Sequence, residues 1–244
     1  MSTQVDPPLA PRATLRWSVV RRIVTGLAPE SILELGCGLG AVGVRLSRLA
    51  PYTAAEPDDH CFAVAHQRIT PQGGLVLHGD HTIVPAGSRY HLVCAFEVLE
   101  HIADDAGALA QWLPLVRPGG HLLLSVPADP DRFGPSDVLA GHYRRYTAGQ
   151  LRDRLLAAGA AEVIVRHYGW PLGYLLDSVR DRLASRQTTS AETAEERTQA
   201  SGRLFQPRGP VMGTAIRAGV APFAGLQRLR PGVGPGLVAL ARIG

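Results

Sequence analysis

A glycine-rich segment between a short apolar run and a helical pattern is the part of the chain best suited to bind a ligand. It reads Ile32-Leu-Glu-Leu-Gly-Cys-Gly-Leu-Gly-Ala-Val-Gly43. Alternate glycines let the backbone approach a ligand closely, and the N-terminus of the helix that follows offers free N–H groups. The segment predicts a ligand-binding turn between a strand and a helix; the alternative is a tight turn that binds nothing.

One register of this segment fits a dinucleotide. Gly38, Gly40 and Gly43 match the G-x-G-x-x-G fingerprint, and Glu56 lies 18 residues beyond Gly38. That spacing suits a carboxylate that binds a ribose. A nicotinamide cofactor is therefore one alternative for this site.

The other register places an acid before the glycines. Glu34 ends the apolar run and is followed by Gly36, Gly38 and Gly40. A carboxylate this close to the turn repels a pyrophosphate and attracts a cationic amino group. S-adenosylmethionine has an ammonium, a sulfonium and a ribose, and it has no phosphate. This register therefore favours S-adenosylmethionine.

The segment resembles the first motif of class I S-adenosylmethionine-dependent methyltransferases, and further matches to that family follow in order along residues 16–165. They are Glu56 after the second strand, Gly79-Asp80 after the third, Phe96-Glu-Val-Leu-Glu-His101 at the fourth, and Arg117-Pro-Gly-Gly120 before the fifth. The resemblance implies a Rossmann-like fold and methyl transfer.

The same resemblance implies roles for individual residues. It places Glu56 on the ribose hydroxyls and Asp80 against the adenine amino group. Glu97, in the fourth-strand motif, is a further cofactor-binding candidate. The candidates around the methionine part of the cofactor are Glu34, Gly36, Gly38 and Gly40.

Two histidines are candidates for the base that takes a proton from a hydroxyl acceptor. His101 follows the fourth strand, and His142 lies in Gly141-His-Tyr-Arg-Arg-Tyr-Thr147, which resembles a GHxRxY-type segment of some family members. A neutral imidazole suits a general base near pH 7. The alternatives are that His101 only orders its loop and that His142 only binds a backbone carbonyl.

A metal site is a further alternative at the fourth strand. Glu97, Glu100 and His101 resemble a metal-binding segment of ubiquinone-pathway O-methyltransferases. Carboxylates and imidazole can hold a divalent ion. Because most family members with this string need no metal, we expect no metal here.

The composition excludes several chemistries. All 25 basic residues are Arg, and the chain has no Lys and no Asn. A Schiff-base lysine, a pyridoxal-phosphate enzyme and a Walker-type phosphate loop are therefore excluded. The three Cys are scattered, no apolar run is long enough to span a membrane, and the first residues do not resemble a secretory signal. We expect a cytoplasmic protein.

The elements that must position these residues alternate between strand and helix. Helices are predicted over 16–27, 41–49, 58–67, 104–116 and 151–158. Strands are predicted over 31–35, 52–55, 75–77, 91–96, 121–126, 162–165 and 236–243. The prediction is one α/β domain over 1–244, with a Rossmann-like, seven-stranded, mostly parallel sheet and helices on both faces. Residues 170–234 are predicted to form a cap inserted before the last strand, with 185–203 a mobile loop.

Charge divides the chain into two parts. Residues 1–140 hold 10 Arg and 14 acids, a net charge of −4, whereas residues 141–244 hold 15 Arg and 7 acids, a net charge of +8. The acidic half suits a cationic cofactor, and the basic half is where a partner is expected. Peripheral contact of this basic region with an anionic membrane is one expectation, and no nucleic-acid partner is expected.

The function predicted from these observations is S-adenosylmethionine-dependent transfer of a methyl group to a small-molecule or lipid-like acceptor, at oxygen. The alternatives are an RNA or protein methyltransferase and a cofactor-binding scaffold without catalysis.

Overall fold

Two short apolar runs form the centre of the sheet in the computed structural model, which describes residues 6–186 and 210–244. They are β1 (Ile32–Leu35), which is buried along its whole length, and β4 (Tyr90–Phe96), whose last five residues are buried. Strands covered on both faces are continuously apolar because neither face meets water.

The remaining strands extend the sheet on both sides. The order is β3-β2-β1-β4-β5-β7-β6. The strands are β2 (Tyr52–Glu56), β3 (Leu75–His78), β5 (Val116–Pro127), β6 (Glu162–Tyr168) and β7 (Gly236–Arg242). Strands β1 to β5 pair in parallel, and β7 runs antiparallel to both β5 and β6. The predicted mostly parallel, seven-stranded sheet is confirmed.

Helices cover both faces of the sheet, as predicted. They are α1 (Pro11–Leu27), α2 (Gly43–Leu46), α3 (Asp59–Ile69), α4 (Asp105–Trp112), α5 (Pro135–Ala140), α6 (Ala148–Ala157), α7 (Leu172–Ala184) and α8 (Pro210–Leu226). One apolar core packs α1 and α3 on the sheet, and the core of the opposite face packs α4 and α6. Caps fix where α3, α4 and α6 begin: Asp58, Asp104 and Thr147 accept hydrogen bonds from backbone N–H groups of the first turn.

Two local predictions were wrong. The helix predicted over 41–49 is only the single turn of α2. The predicted turn Arg117–Gly120 lies within β5, where the pairing with β4 shifts between Tyr90 and Leu92. The Gly119 N–H donates to the Ile243 carbonyl, and the Ile243 N–H donates to the Gly120 carbonyl. These two hydrogen bonds hold the segment as a bulge in the sheet, beside the residue that follows β7.

In the described part of the predicted cap segment, two helices lie between β6 and β7. α7 packs against α5, and α8 packs against α1. The predicted mobile loop lies almost entirely outside the described residues, and the role of 170–234 as a cap stays a prediction.

Among the described residues, none of the helices has both the length and the apolar character needed to cross a bilayer.

Candidate active site

The predicted site residues gather at one edge of the sheet. Because β1 to β4 are parallel, their carboxyl ends meet at the same edge. Glu34 lies in β1, Glu56 ends β2, Asp80 follows β3, and Glu97 follows β4. This edge is where open α/β sheets bind their ligands.

The glycine turn requires glycine for two physical reasons. Gly36, Gly38 and Gly40 have φ values of 72°, 54° and 74°, a region that other residues rarely adopt. A Cβ on Gly36 would lie 2.8 Å from Val98 Cγ2, and one on Gly40 would lie 3.0 Å from the Ala65 Cα. A Cβ on Gly38 would meet nothing within 4 Å. Gly36 and Gly40 are therefore packed against the fold, while Gly38 faces open space.

Glu56 ties the glycine turn to the end of β2. Its Oε2 accepts a 2.7 Å hydrogen bond from the Gly38 N–H, and its Oε1 accepts one of 3.0 Å from the Asp58 N–H. The side chain is buried, and burial raises the pKa of Glu56 even though both N–H groups favour the ionised form. The spacing predicts Glu56 as a ribose ligand beside this turn, and its contact with a ribose stays a prediction.

Glu34 is buried too deeply for a ligand at the surface to touch it directly. It is 1% exposed, and its Oε2 accepts a hydrogen bond from the Tyr52 hydroxyl. Burial raises the pKa of Glu34 to about 7. One carboxylate oxygen is therefore occupied by Tyr52, and the predicted contact between Glu34 and a cofactor stays a prediction.

Asp80 is exposed beside a short 3-10 turn, His81–Ile83. Its Oδ1 accepts hydrogen bonds from the Thr82 hydroxyl at 2.6 Å and the Thr82 N–H at 2.9 Å. The Thr82 hydroxyl lowers the pKa of Asp80. The neighbouring Gly79 N–H donates to the Glu56 carbonyl, which places Asp80 near the ribose candidate. Its contact with an adenine stays a prediction.

Glu97, which follows β4, contacts side chains of α1, β5 and β6. It adopts a φ of 58°, uncommon for a residue with a side chain. Its Oε1 accepts hydrogen bonds from the Ser125 hydroxyl at 2.9 Å and the Tyr168 hydroxyl at 3.2 Å, and it lies 3.4 Å from an Arg16 guanidinium nitrogen. Although burial opposes ionisation, Arg16 and Arg12 hold the pKa of Glu97 low. The carboxylate is thus fixed by protein partners, and cofactor binding by Glu97 stays a prediction.

His101 and His142, predicted from separate segments, are adjacent in space. Their ring centroids are 4.6 Å apart, edge to face. Burial and the neighbouring His142 lower the pKa of His101 to about 4, despite its hydrogen bond to the Gly141 backbone. His101 is therefore a neutral side chain at neutral pH.

Asp137 orients His142 and was absent from the sequence prediction. Its Oδ1 lies 2.7 Å from His142 Nδ1, and the Arg145 guanidinium binds both of its oxygens. These hydrogen bonds and the Arg145 charge hold the pKa of Asp137 below its usual range, even though burial alone would raise it. The carboxylate assigns the Nδ1–H tautomer to His142 and leaves Nε2 as an acceptor. The five-residue separation in sequence gives no sign of this contact, because α5 ends between the two residues.

Glu100 completes the cluster. Its carboxyl is fully buried, neither oxygen has a hydrogen-bond partner among the described residues, and Oε1 lies 4.0 Å from His142 Nε2. Burial and the charge of Glu97 raise the pKa of Glu100. Ligand atoms of Glu100, His101 and His142 lie within 4.8 Å of one another, which fits a divalent ion. The geometry thus brings together two of the three residues of the predicted metal alternative, and the metal-free site stays a prediction.

Comparison with known proteins decides the family. The family model described as "Methyltransferase domain" matches residues 12–164 of this chain. The chain belongs to this methyltransferase family. The predicted resemblance, the enzyme class and the cofactor of the family, S-adenosylmethionine, are thereby confirmed.

The alignments with curated relatives cover part of this methyltransferase. A ubiquinone biosynthesis O-methyltransferase of a Methylobacterium species is 38% identical over 98 residues, which are 38% of this chain and 39% of the relative. A probable S-adenosylmethionine-dependent methyltransferase of Mycolicibacterium smegmatis is 29% identical over 146 residues, 58% of this chain and 56% of the relative. The chain thus spans between about two fifths and about half of the length of these relatives.

Solved structures show the same fold. Phosphoethanolamine N-methyltransferase 2 of Haemonchus contortus, in complex with S-adenosyl-L-methionine, superposes on 93% of this methyltransferase with a TM-score of 0.58. The match covers 52% of that chain at 14% sequence identity, and it therefore shows the fold alone.

Proposed function

We propose that this chain transfers a methyl group from S-adenosylmethionine to an oxygen of a small-molecule or lipid-like acceptor. The observation that carries the proposal is the orientation of His142. Its Nδ1 is bound to Asp137 at 2.7 Å, and its Nε2 faces the cluster at the carboxyl end of β4. An imidazole held in this way is suited to take a proton from a hydroxyl group.

The glycine turn supports the cofactor half of the proposal. The position that a Cβ of Gly38 would take is unobstructed, and the Gly38 N–H donates a hydrogen bond to the carboxylate of Glu56. None of the candidate cofactor residues is cationic, and two of them, Glu34 and Glu56, are acids at this edge, which suits a sulfonium and an ammonium group. The residues fit S-adenosylmethionine better than a pyrophosphate, because the Glu56 carboxyl occupies the Gly38 N–H that a phosphate in this turn would need.

When bound, S-adenosylmethionine supplies an activated methyl group whose leaving group is a neutral thioether. No residue is needed to protonate that leaving group, so the tasks of the chain are to align the acceptor and remove its proton. The proton of the acceptor hydroxyl passes to Nε2 of His142. The Asp137 carboxylate holds the ring and stabilises the imidazolium that forms.

Oxygen is favoured as the acceptor atom by two observations. A neutral acceptor hydroxyl must lose its proton, and His142 is oriented for that step. The Methylobacterium relative is named an O-methyltransferase, although the match covers 39% of it. Its ubiquinone pathway is a property of that relative, and we extend only the acceptor atom to this chain.

Methyl transfer to matched acceptors tests the proposal. The purified chain is incubated with S-adenosylmethionine labelled in its methyl group and with a catechol, an aliphatic alcohol or a primary amine as probes. Labelled product from a hydroxyl probe, lost in His142→Ala while S-adenosylhomocysteine still binds, supports it. Transfer only to the amine, or an unchanged rate in His142→Ala, contradicts it. His60→Ala, on the exposed side of α3, is the control variant.

A further inference from the structure

A cavity of about 540 Å³ lies away from the methyl-transfer cluster. Its walls are the C-terminal half of α1, the β6–β7 edge of the sheet, and the segment Gln227–Pro231. None of the candidate cofactor or base residues lines it. Cavities of this size hold small organic ligands in proteins.

The cavity exists because the edge of the sheet is incompletely covered. Ile164 on β6 is 47% exposed, and it pairs across the strands with Leu240 on the same face. Gly26, near the end of α1, has no side chain, and a Cβ there would meet nothing within 4 Å. Helix α1 therefore leaves room over the outer part of the sheet.

Gln227 holds one wall in place. Its Nε2 donates hydrogen bonds to the Ser18 hydroxyl at 2.7 Å and the Leu15 carbonyl at 3.1 Å, and its Oε1 accepts one from the Gly169 N–H at 2.7 Å. These three bonds fix the segment after α8 against α1 and β6. A wall fixed in this way reduces the ordering cost of binding a ligand.

The lining combines apolar side chains with unpaired positive charge. Val19, Ile23, Leu27, Ile164 and Leu240 supply the apolar surface. Arg22, Arg166 and Arg228 supply the charge, and none of the described residues that line the cavity carries a carboxylate. None of these three arginines forms an ion pair with another residue in the described ranges 6–186 and 210–244. Guanidinium groups without a carboxylate partner are suited to bind phosphate or carboxylate.

We propose that this cavity binds an amphipathic anion, an apolar chain that carries a phosphate or carboxylate group. The apolar chain lies between α1 and the β6–β7 edge, and the anionic group meets the arginines at the rim. The two chemical features of the lining, apolar walls and unpaired cations, each match one half of such a molecule. A free amphiphile and a membrane lipid share this chemistry.

Calorimetry with decyl phosphate below its micelle concentration tests the proposal. We expect saturable binding of one molecule per chain. Inorganic phosphate lacks the apolar part and should bind at least about tenfold more weakly, since apolar burial contributes strongly to affinity. Decyltrimethylammonium has the opposite charge and should not bind. Equal binding of the two decyl compounds would overturn the proposal.

Two variants locate the binding. Gly26→Phe introduces a ring at the cavity wall on α1, where a Cβ meets nothing within 4 Å, and phenylalanine has a higher helix propensity than glycine, so we expect a wild-type circular dichroism spectrum. The double variant Arg166→Gln, Arg228→Gln removes two of the charges. Each should weaken decyl phosphate binding by about tenfold or more. Arg21→Gln, exposed on the same helix but outside the cavity, should leave the affinity unchanged.

Vesicles of phosphatidylglycerol distinguish the two sources of the ligand. Retention on vesicles that Gly26→Phe abolishes identifies a membrane lipid. Binding of decyl phosphate without vesicle retention identifies a free amphiphile. Decyl phosphate binding that is unchanged in both cavity variants, or vesicle retention without any binding of soluble decyl phosphate, overturns the proposal.

Discussion

The ring of His101 meets the ring of His142 edge to face, with centroids 4.6 Å apart. The two histidines are 41 residues apart in sequence, and the contact brings the end of β4 against the segment after α5. Nδ1 of His142 donates a hydrogen bond to Asp137, while the half-buried His101 stays neutral. The pair therefore divides into an oriented imidazole and a neutral neighbour that packs against it.

Replacing the orienting carboxylate tests the role of His142. Asp137→Asn replaces a carboxylate that can only accept by an amide whose NH2 can donate to Nδ1 and select the other tautomer, and we expect the turnover rate to fall by about 10²- to 10⁴-fold. Binding of S-adenosylhomocysteine should be unchanged, because Asp137 contacts none of the candidate cofactor residues.

Two comparisons control that measurement. Asp153→Asn, on the exposed face of α6, should keep full activity. Because Asp137 also binds Arg145, the variant is assayed only after circular dichroism shows a wild-type spectrum. A wild-type rate in well-folded Asp137→Asn would refute the orienting role.

Removal of divalent metal tests the cluster of Glu100, His101 and His142. A metal ion bound at His142 Nε2 would occupy the atom that we propose takes the proton. The account therefore predicts that methyl transfer survives dialysis against EDTA. Activity that is lost with EDTA and restored by a divalent ion would replace the base mechanism with a metal-assisted one.

The buried Glu34 predicts a pH dependence of stability. Its pKa in the folded chain is about 7, raised by burial above the ordinary value of 4.5. The folded state therefore favours the protonated form, so stability is highest below pH 4.5 and falls as the pH rises through 7. Glu34→Gln stays neutral and keeps a partner for the Tyr52 hydroxyl.

Urea unfolding at pH 5 and pH 8 measures this effect. The wild type should lose about 2 kcal/mol more unfolding free energy over that interval than Glu34→Gln does. Asp153→Asn should follow the wild type. Equal pH slopes in the wild type and Glu34→Gln would show that Glu34 titrates like an exposed carboxyl.

Because Gly38 faces open space, we expect a substitution there to weaken cofactor binding in addition to its effect on stability. Gly38→Ala places a methyl group where the ligand is expected and forces alanine to a φ of 54°. We expect S-adenosylhomocysteine to bind at least about tenfold more weakly. Gly73→Ala is the matched control, since its φ is 83° and its Cβ also meets nothing within 4 Å.

Both variants should lose about 1 kcal/mol of stability, because alanine is disfavoured in the left-handed backbone conformation of these positions. Only Gly38→Ala should lose affinity. If thermal melts and binding change equally in the two variants, Gly38 has a structural role alone.

The sheet and the glycine turn could be predicted from the sequence because their signals are local. Apolar runs such as β1 and alternate glycines follow directly from strand burial and from the need for left-handed backbone. The bulge at Arg117–Gly120 could not be predicted in this way. It depends on pairing with residue Ile243, which lies more than 120 residues away in sequence.

The candidate site was predicted in part for the same reason. His101, His142 and Glu56 were recognised from motifs, whereas Asp137, Arg12 and Arg16 act through contacts that only the tertiary structure creates. Glu34 illustrates the limit most clearly. Its position before the glycines was evident, but its burial against Tyr52 depends on the packing of β2 beside β1. Cytoplasmic location and peripheral contact of the basic C-terminal region with an anionic membrane stay predictions.

Calorimetry with S-adenosylmethionine, S-adenosylhomocysteine and NAD, measured side by side on the full chain, tests the central claim most directly. The account predicts saturable binding of the first two at one molecule per chain and no binding of NAD, because the Glu56 carboxyl occupies the Gly38 N–H that a pyrophosphate would need. Binding of NAD without binding of either S-adenosyl compound would contradict it.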